Sequence, residues 1–423
     1  MFNLRKPCST ADHKIARRQF LGGIAGSFVV GGLGALTQPA MAAKLAKDQK
    51  RVLVIYMSGG LSQLESWDPK PKTDTGGPFR AIPTAIPGVH ISELLPETAK
   101  HMGKLALIRS INTKNGDHGK GRYQMLHGRN ETPGVSLPTI GAVCARALED
   151  TSNPLPGHII IPGGGRGNDA AYLGPKFASI GVNGPPKNSA RPANLTEELD
   201  ISRNDFRRKV NDRFAQRRRT AETDVYAYSY ESAMELMKQR DVFDVSKESA
   251  KDQDRYGTDE LGKHLLMARR LLENGITFVQ TSHSNYDTHN ENFNFHLEQV
   301  GEFDRAFSAL ITDLHERGML DSTLVVVMSE FGRTPRINAN YGRDHWGNAW
   351  SICLGGAKIT PGAVIGKTNA NGTSVIDREV NHGHLFHTYL CALGLDSEGS
   401  FDIGGRPIPM ADPAYKPIRE LIA

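Results

Sequence analysis

The stretch FDRAFSALITDLHERGMLDSTLVVVMSEFGRTPRIN, residues 303–338, joins the pattern of a helix to the pattern of a strand. Apolar residues recur at helical spacing across Asn292–Arg317, and Gly318 marks where this helix ends. The valine-rich run Thr323–Ser329 then has the composition of a buried strand. The same order of helix, glycine and strand recurs at Glu260–Asn274, Gly275 and Thr277–Thr281. This repetition predicts an α/β fold with a mainly parallel central sheet and helices on both faces.

Other parts of the chain supply further strands and one insertion. Short apolar runs that predict strands lie at Arg51–Met57, Leu105–Arg109, His158–Ile161 and Trp350–Leu354. Residues from about 192 to 250 are instead highly charged and helical in pattern, which predicts a helical insertion or cap. Its basic core, RRKVNDRFAQRRR at 207–219, is either a patch that attracts an anionic substrate or polymer or a solvated helix face.

The first 42 residues have the layout of an export signal. Arg17 and Arg18 precede an apolar residue, Leu21–Leu36 is an uncharged Gly/Ala-rich stretch, and Ala40–Ala42 has a small-x-small cleavage pattern. We therefore predict a twin-arginine signal peptide at 1–42, a single mature domain at 43–423, the twin-arginine translocase as a partner during export, and a periplasmic location. A single transmembrane anchor is the alternative, but the apolar stretch is rich in glycine and only weakly hydrophobic.

Charge and cysteine content exclude several classes of function. Five basic residues and one acid fall within 1–42, so this segment carries +4 of the net charge of +5 and the remaining chain is near neutral. The chain as a whole gives no argument for nucleic-acid binding. Its four cysteines are scattered without a CxxC pair, which argues against a disulfide framework and against a thiolate zinc site. Beyond residue 42 no apolar run is long enough to span a membrane, so no stable span is expected after cleavage.

Polar clusters follow four of the predicted strands. They lie at Ser58–Lys70, Asp117–Arg129, His283–His289 and Glu330–His345. In parallel α/β sheets, sites form at the carboxyl ends of the strands. We therefore expect these clusters to meet at one edge of the sheet.

The third and fourth clusters have the residue types of a divalent-metal site. The predicted metal ligands are Asp287, His289, Glu330, Asp344 and His345. Carboxylate and imidazole donors without thiolate suit Zn, Mn, Fe or Mg, and the sequence does not distinguish among these ions. The alternative is a hydrogen-bonded network of the same side chains that only ties the loops together.

Several longer motifs resemble a known family. They are GGLSQLESWDPKP, RRLLENGITFVQ with YDTHNENF, the 303–338 stretch, and GRDHWGNAWSICLGGAKITPGAVIGKT. Together they are similar to the domain of unknown function (DUF) 1501 family, from about Arg51 to Asp396. This family is allied to the alkaline phosphatase/sulfatase superfamily. The resemblance implies a three-layer α/β sandwich and metal-dependent chemistry on sulfate or phosphate esters, without a known substrate.

The resemblance can be followed residue by residue at the metal positions. Asp287 and His289 resemble the superfamily's Asp and His metal pair at a shorter spacing, and His345 resembles its last metal-binding His. Glu330 falls where the superfamily has the Asp of an Asp-His-Gly motif, and Phe331 replaces the His of that motif. The superfamily's first-strand Asp is also missing, and Glu65 or Asp68 are the available substitutes. His384 and His387, near the C-terminus, are additional candidate ligands.

The segment His118–Arg129 is similar to the sulfatase signature, with Arg122 and Gly128-Arg129 in register. The nucleophile position holds His118 rather than Cys, Ser or Thr. Histidine is therefore the nucleophile or a metal ligand, or the ester chemistry has been lost. We expect His118 to attack or to relay a proton, and Arg122 and Arg333 to clamp a tetrahedral anion.

Two functions fit these observations. The first is a periplasmic metal-dependent hydrolase of sulfate or phosphate esters, acting on an anionic small molecule or glycan ester. The alternative is a catalytically degenerate protein that binds anionic glycans or other anionic ligands without altering them. The departures at the nucleophile and at the first strand motivate the alternative.

Overall fold

The computed structural model describes residues 49–150, 153–163, 169–186, 194–218 and 221–423. The predicted signal peptide, residues 1–42, lies outside the described residues. Eight strands form the main sheet, in the order β8-β2-β7-β6-β1-β5-β3-β4. The strands are β1 Arg51–Met57, β2 Leu105–Ile111, β3 His158–Ile161, β4 Ile180–Gly181, β5 Phe278–His283, β6 Thr323–Met328, β7 Trp350–Gly355 and β8 Val364–Ile365.

The sheet is mainly parallel, as the sequence predicts. Of its seven strand pairings, five are parallel, and only the two made by β7 are antiparallel. Strand β1 lies between β5 and β6, pairing Val52 with Phe278 on one side and with Leu324 on the other. The carboxyl ends of β1, β5 and β6 therefore lie side by side at one edge of the sheet.

Helices cover both faces of this sheet. The α-helices are α1 Pro96–His101, α2 His118–His127, α3 Ile140–Ala147, α4 Glu197–Arg218, α5 Ala221–Lys238, α6 Ala250–Tyr256, α7 Glu260–Glu273, α8 Asn292–Glu316 and α9 His382–Ala392. Alternation along β1 explains the two layers, because successive side chains of a strand point to opposite faces. Leu53 and Ile55 pack in one core with α1, α7 and α8, while Val52 and Val54 pack in the other with α2, α3 and α9. The predicted three-layer α/β sandwich is confirmed.

Helices α7 and α8 end at the two glycines predicted to terminate them. Gly275 follows α7 with φ +81°, and Gly318 follows α8 with φ +66°. This left-handed conformation is strained for residues with a Cβ atom, and it turns the chain back toward the sheet. Strands β5 and β6 begin within five residues of these glycines.

Four further two-stranded antiparallel pairings lie within the described residues. They are Ala81–Pro83 with His90–Ser92, Gly332–Arg333 with His345–Trp346, Lys367–Thr368 with Val375–Asp377, and Ser400–Asp402 with Pro407–Pro409. The charged segment at about 192–250 contains α4 and α5, in agreement with its helical pattern. No helix within the described ranges has both the length and the apolar character needed to cross a membrane.

Candidate metal centre

Four segments meet at the carboxyl edge of the sheet: the loop after β1, the start of α2, the loop after β5, and the segment from Glu330 to His345 between β6 and β7. Parallel strands β1, β5 and β6 deliver the loops that contain Gly59, Asp287 and Glu330. Strand β2 leads into α2, whose first residue is His118. Strand β7 is antiparallel, so its beginning lies at the same edge, and His345 precedes it by five residues. These residues of the four polar clusters therefore lie together, as the sequence predicts.

The carboxylate of Asp287 lies at the centre of the cluster. Its Oδ2 atom lies 3.3 Å from His118 Nε2. Its Oδ1 atom lies 3.2 Å from His289 Nε2 and 3.0 Å from His345 Nε2. The Nε2 atoms of His289 and His345 are 3.0 Å apart. Three imidazoles therefore direct the same ring nitrogen at one carboxylate.

Each of these imidazoles is also hydrogen-bonded through its Nδ1 atom, on the side away from Asp287. His118 Nδ1 lies 2.8 Å from Glu330 Oε1, and His289 Nδ1 lies 2.7 Å from Asp344 Oδ1. His345 Nδ1 donates to the carbonyl oxygen of Gly116 at 2.7 Å. An ionised carboxylate or a carbonyl can only accept, so in a neutral imidazole that donates through Nδ1 the Nε2 atom carries a lone pair. Metal-ligating histidines are oriented in this way in proteins.

A buried guanidinium and three imidazoles surround the carboxylate of Asp287. Burial raises the pKa of Asp287, but the hydrogen bond from the Arg333 guanidinium outweighs burial and holds this pKa well below its usual value. The hydrogen bond from His289 lowers the pKa of Asp344. Ionised carboxylates and imidazole lone pairs that face one another at 3.0–3.3 Å repel unless a proton or a metal ion lies among them.

The donor set fits a divalent metal ion. His118, Asp287 and His345 form one group of potential ligands, with donor atoms within 4.8 Å of one another. Asp287, His289 and His345 form a tighter triangle with sides of 3.0–3.2 Å. Ligand atoms about 2.1 Å from an ion lie roughly 3.0 Å apart in octahedral geometry and roughly 3.4 Å apart in tetrahedral geometry. The triangle therefore suits the N/O-binding ions named above without selecting one.

Glu330 and Asp344, two of the predicted ligands, each contact the Nδ1 atom of a histidine. Glu330 is buried, and its Oε1 atom also accepts from the backbone N–H of Gly59 at 2.9 Å. Its Oε2 atom accepts from the Ser329 hydroxyl at 3.1 Å. Both carboxylates contact a histidine on its Nδ1 side, away from Asp287. This position supports a role in orienting the imidazoles rather than in direct coordination.

Arg333, predicted to clamp an anion, lies against Asp287. Its side chain is fully buried, and its guanidinium donates to the carbonyls of Gly59, Gly60 and Arg343. The same group donates to Asp287 Oδ1 at 2.5 Å. This arrangement supports a positioning role, in which Arg333 fixes Asp287 and the loop after β1.

Arg122 is placed more favourably for an anionic group. It is exposed on the second turn of α2, and its guanidinium carbon lies 5.2 Å from the centroid of the buried Tyr56 ring. This cation–π contact holds the guanidinium near the ring, while the Arg122 residue remains exposed to solvent.

The other candidate histidines and acids form hydrogen bonds or ion pairs within the fold. Glu65 is buried and forms a bidentate pair with Arg343, at 2.7 and 3.0 Å. Asp68 pairs with Lys70 at 2.8 Å. Both ring nitrogens of His387 are hydrogen-bonded, to Ser397 and to the carbonyl of Asp412. His384 takes part in the capping box of α9.

Sequence reasoning missed three supports of the cluster: the Gly116 carbonyl, the buried Glu65–Arg343 pair and the close approach of Gly59 to Asp287. Gly59 has φ +116°, and a Cβ atom there would lie 2.4 Å from the backbone nitrogen of Asp287. The paired glycines directly after β1 were the available signal, because adjacent glycines at a strand end often mark such an approach.

The described residues thus define a mixed α/β protein with a solvent-accessible histidine–carboxylate centre at one edge of its sheet. The chain belongs to the family described as "Protein of unknown function (DUF1501)", which matches residues 49–422. The family predicted from the sequence motifs is therefore confirmed. No curated protein shows a significant sequence match to the chain.

Several solved structures are similar over most of the chain. The lipoteichoic acid synthase LtaP from Listeria monocytogenes is 9% identical, with 88% of this chain and 80% of that chain covered and a TM-score of 0.39. The PsFucS1 sulfatase from Pseudoalteromonas sp. is 13% identical, with 85% and 72% covered and a TM-score of 0.39. A protein in the alkaline phosphatase superfamily from Vibrio parahaemolyticus is 11% identical, with 85% and 75% covered and a TM-score of 0.37.

Proposed function

We propose that this protein is a metal-dependent hydrolase of sulfate or phosphate esters. One observation supports it above all: three imidazole Nε2 atoms converge on the Asp287 carboxylate, and each imidazole is fixed through Nδ1 by an acceptor. Asp287 and His118 are both partly exposed, so a substrate can reach the cluster.

Asp287, His289 and His345 are the residues that would hold the ion. When bound, a divalent ion supplies Lewis-acid polarisation of the ester oxygens and a lowered pKa for water. The chain contributes the geometry. Arg333 fixes Asp287, while Asp344 and Gly116 fix the two imidazoles.

His118 is the proposed proton-transfer residue. Its Nδ1 donates to the buried carboxylate of Glu330, which orients the ring so that Nε2 faces Asp287. Nε2 can then accept a proton from the attacking group and return it to the leaving oxygen. Arg122, on the next turn of the same helix, is the proposed contact for the anionic part of the ester.

Metal content and turnover test the proposal together. Protein purified without chelators should contain about one divalent ion per chain and should hydrolyse an aryl phosphate or an aryl sulfate. His289→Ala with His345→Ala should lose both the metal and the turnover. His118→Ala should keep the metal and lose turnover by about 100-fold or more. His315→Ala, an exposed histidine at the end of α8, is the matched control.

Each outcome has a distinct meaning. Folded wild-type protein that takes up none of Zn²⁺, Mn²⁺, Fe²⁺ or Mg²⁺ would refute the metal centre. Loss of metal in His118→Ala would make His118 a ligand instead of a proton carrier. Metal-loaded protein that binds an anionic glycan but cleaves no ester in a broad panel would favour the binding function, which the histidine at the nucleophile position supports.

Export to the periplasm is part of the same proposal and is supported by the pattern in residues 1–42. Replacing Arg17 and Arg18 with lysine should leave the chain in the cytoplasm of an expressing bacterium. Cell fractionation with an antibody to the chain measures this. Equal periplasmic amounts of wild type and variant would contradict the twin-arginine route.

A further inference from the structure

Helix α4 exposes a strip of apolar side chains. Leu199, Phe206, Val210 and Phe214 are 56%, 70%, 49% and 48% exposed. At about 100° per residue, these four positions fall within an arc of about 80° on the helix surface. At about 1.5 Å per residue, the strip is roughly 22 Å long. Exposed apolar side chains aligned along one side of a helix indicate a site of interaction.

The charges on α4 are segregated around this strip. By the same helical spacing, Arg203 lies within the arc and Arg213 borders it, and both are exposed. All five acidic residues of the helix fall outside the arc; they are Glu197, Glu198, Asp200, Asp205 and Asp212. The strip therefore combines apolar and basic groups without a carboxylate.

A different side of α4 holds the helix to its neighbour α5. Arg208 Nη2 lies 3.0 Å from Glu231 Oε2, and Arg207 pairs with the same carboxylate. The hydroxyl of Tyr230 donates to buried Asn204 at 3.5 Å. The apolar strip is therefore not used in these contacts between α4 and α5.

We propose that the strip from Leu199 to Phe214 docks the protein on an anionic lipid surface. An interfacial helix inserts Phe and Leu side chains at the acyl boundary while arginines contact anionic headgroups. A second copy of the chain fits less well, because a two-fold contact along this strip would bring arginines against arginines with no carboxylate to neutralise them. This proposal is independent of the proposed hydrolase activity.

Vesicle co-sedimentation of the full chain tests the proposal. Wild-type protein should bind vesicles of mixed phosphatidylglycerol and phosphatidylcholine, should bind pure phosphatidylcholine weakly, and should dissociate as salt is raised. Phe206→Glu with Phe214→Glu should weaken binding by about tenfold or more. Ile201→Glu is the matched control, because Ile201 is 55% exposed on the same helix but lies outside the arc. It should bind as the wild type does.

All three chains share residues 1–48, so differences between them report on α4. Circular dichroism should show equal helix content. Equal binding by the wild type and the double variant, or an equal loss in the double variant and in Ile201→Glu, would overturn the proposal. A wild-type dimer in sedimentation velocity that Phe206→Glu converts to monomer would overturn it as well, since the strip would then be a contact between copies.

Discussion

Asp287 is the residue on which the centre depends, because three imidazoles and one buried guanidinium all meet its carboxylate. Asp287→Asn keeps the shape of the side chain and removes its charge. We expect this variant to lose metal binding altogether, since Asn replaces an anionic ligand by a neutral one. Titration with Zn²⁺ or Mn²⁺ by isothermal calorimetry measures the affinity.

Asp344→Asn distinguishes a supporting carboxylate from a ligand. Asp344 contacts the Nδ1 atom of His289 and makes no contact with the Nε2 triangle. Removing such a support typically costs about 10–100-fold in metal affinity. We therefore expect Asp344→Asn to weaken binding by about this factor and to leave the stoichiometry unchanged. Complete loss, equal to that of Asp287→Asn, would show that Asp344 is a ligand, as the sequence predicts.

Gly59 is the second residue at which a small change should have a large effect. Its φ of +116° disfavours any side chain, and a Cβ would lie 2.4 Å from the backbone nitrogen of Asp287. Gly59→Ala should therefore displace the Asp287 loop, lowering stability by about 1–3 kcal/mol and weakening metal binding. Urea denaturation and metal titration measure the two effects.

Gly301→Ala is the matched control for this glycine. Gly301 lies inside α8, and a Cβ there meets nothing within 4 Å. Alanine in a helix interior is about 0.5–1 kcal/mol more favourable than glycine, so this variant should gain stability and keep its metal affinity. If both substitutions lowered stability equally, the close approach at Gly59 would not be the cause.

At the scale of elements, a buried ion pair ties together the segments that follow β1 and β6. Glu65 and Arg343 are both fully buried, and Asn292 donates to Glu65 at 3.0 Å from the start of α8. Breaking a buried pair leaves an uncompensated charge and typically costs about 3–5 kcal/mol. Glu65→Gln should lower the free energy of unfolding at pH 7 by this amount, whereas Glu97→Gln, in an exposed pair with Lys100, should cost about 1 kcal/mol or less.

The effect of Glu65→Gln should also depend on pH. Burial raises the pKa of Glu65, but Arg343 outweighs burial and leaves this pKa below its usual value. A lowered folded-state pKa stabilises the fold above the unfolded value of about 4.3, and this stabilisation is lost as the pH falls through the folded pKa. The difference in unfolding free energy between wild type and Glu65→Gln should therefore shrink below about pH 4. Urea midpoints at pH 7 and at acid pH test this, and a constant difference would contradict it.

The elements were largely predictable because their patterns are local. Apolar spacing and Gly275 and Gly318 place α7 and α8 to within one residue of their observed ends. The helix–glycine–strand repeats predicted parallel strands. Because sites form at the carboxyl ends of such strands, the sequence also predicted that Asp287 and His345 lie close together. The direction of β7 was not predictable, because strand Trp350–Gly355 has the same apolar composition in either orientation.

The roles within the centre depend on the whole molecule and could not be read from residue types. Whether Glu330 coordinates an ion or supports His118 depends on how two loops pack together that are 212 residues apart in sequence. Arg333 has the sequence context of an exposed loop, yet folding buries it beneath Asp287. The amino acids present predict a metal centre, and the packed structure adds which side chains face Asp287 and which contact the imidazoles through Nδ1.

Because the proposed ligands come from loops that meet only after folding, metal binding should stabilise the whole chain. The unfolded chain has no preformed site, so an ion at about 100 times its Kd adds about 2.7 kcal/mol to the free energy of unfolding. For a domain of this size we expect a rise in Tm of a few degrees when Zn²⁺ or Mn²⁺ is added to chelator-treated protein.

The double variant His289→Ala with His345→Ala provides the comparison, since it removes two corners of the ligand triangle. Its Tm should be the same with chelator and with metal, whereas the Tm of His315→Ala should rise as the wild type's does. Equal rises in wild type and double variant would place the stabilising ion elsewhere on the chain. Because unfolding needs no substrate, this measurement tests the metal centre even if the substrate is never found.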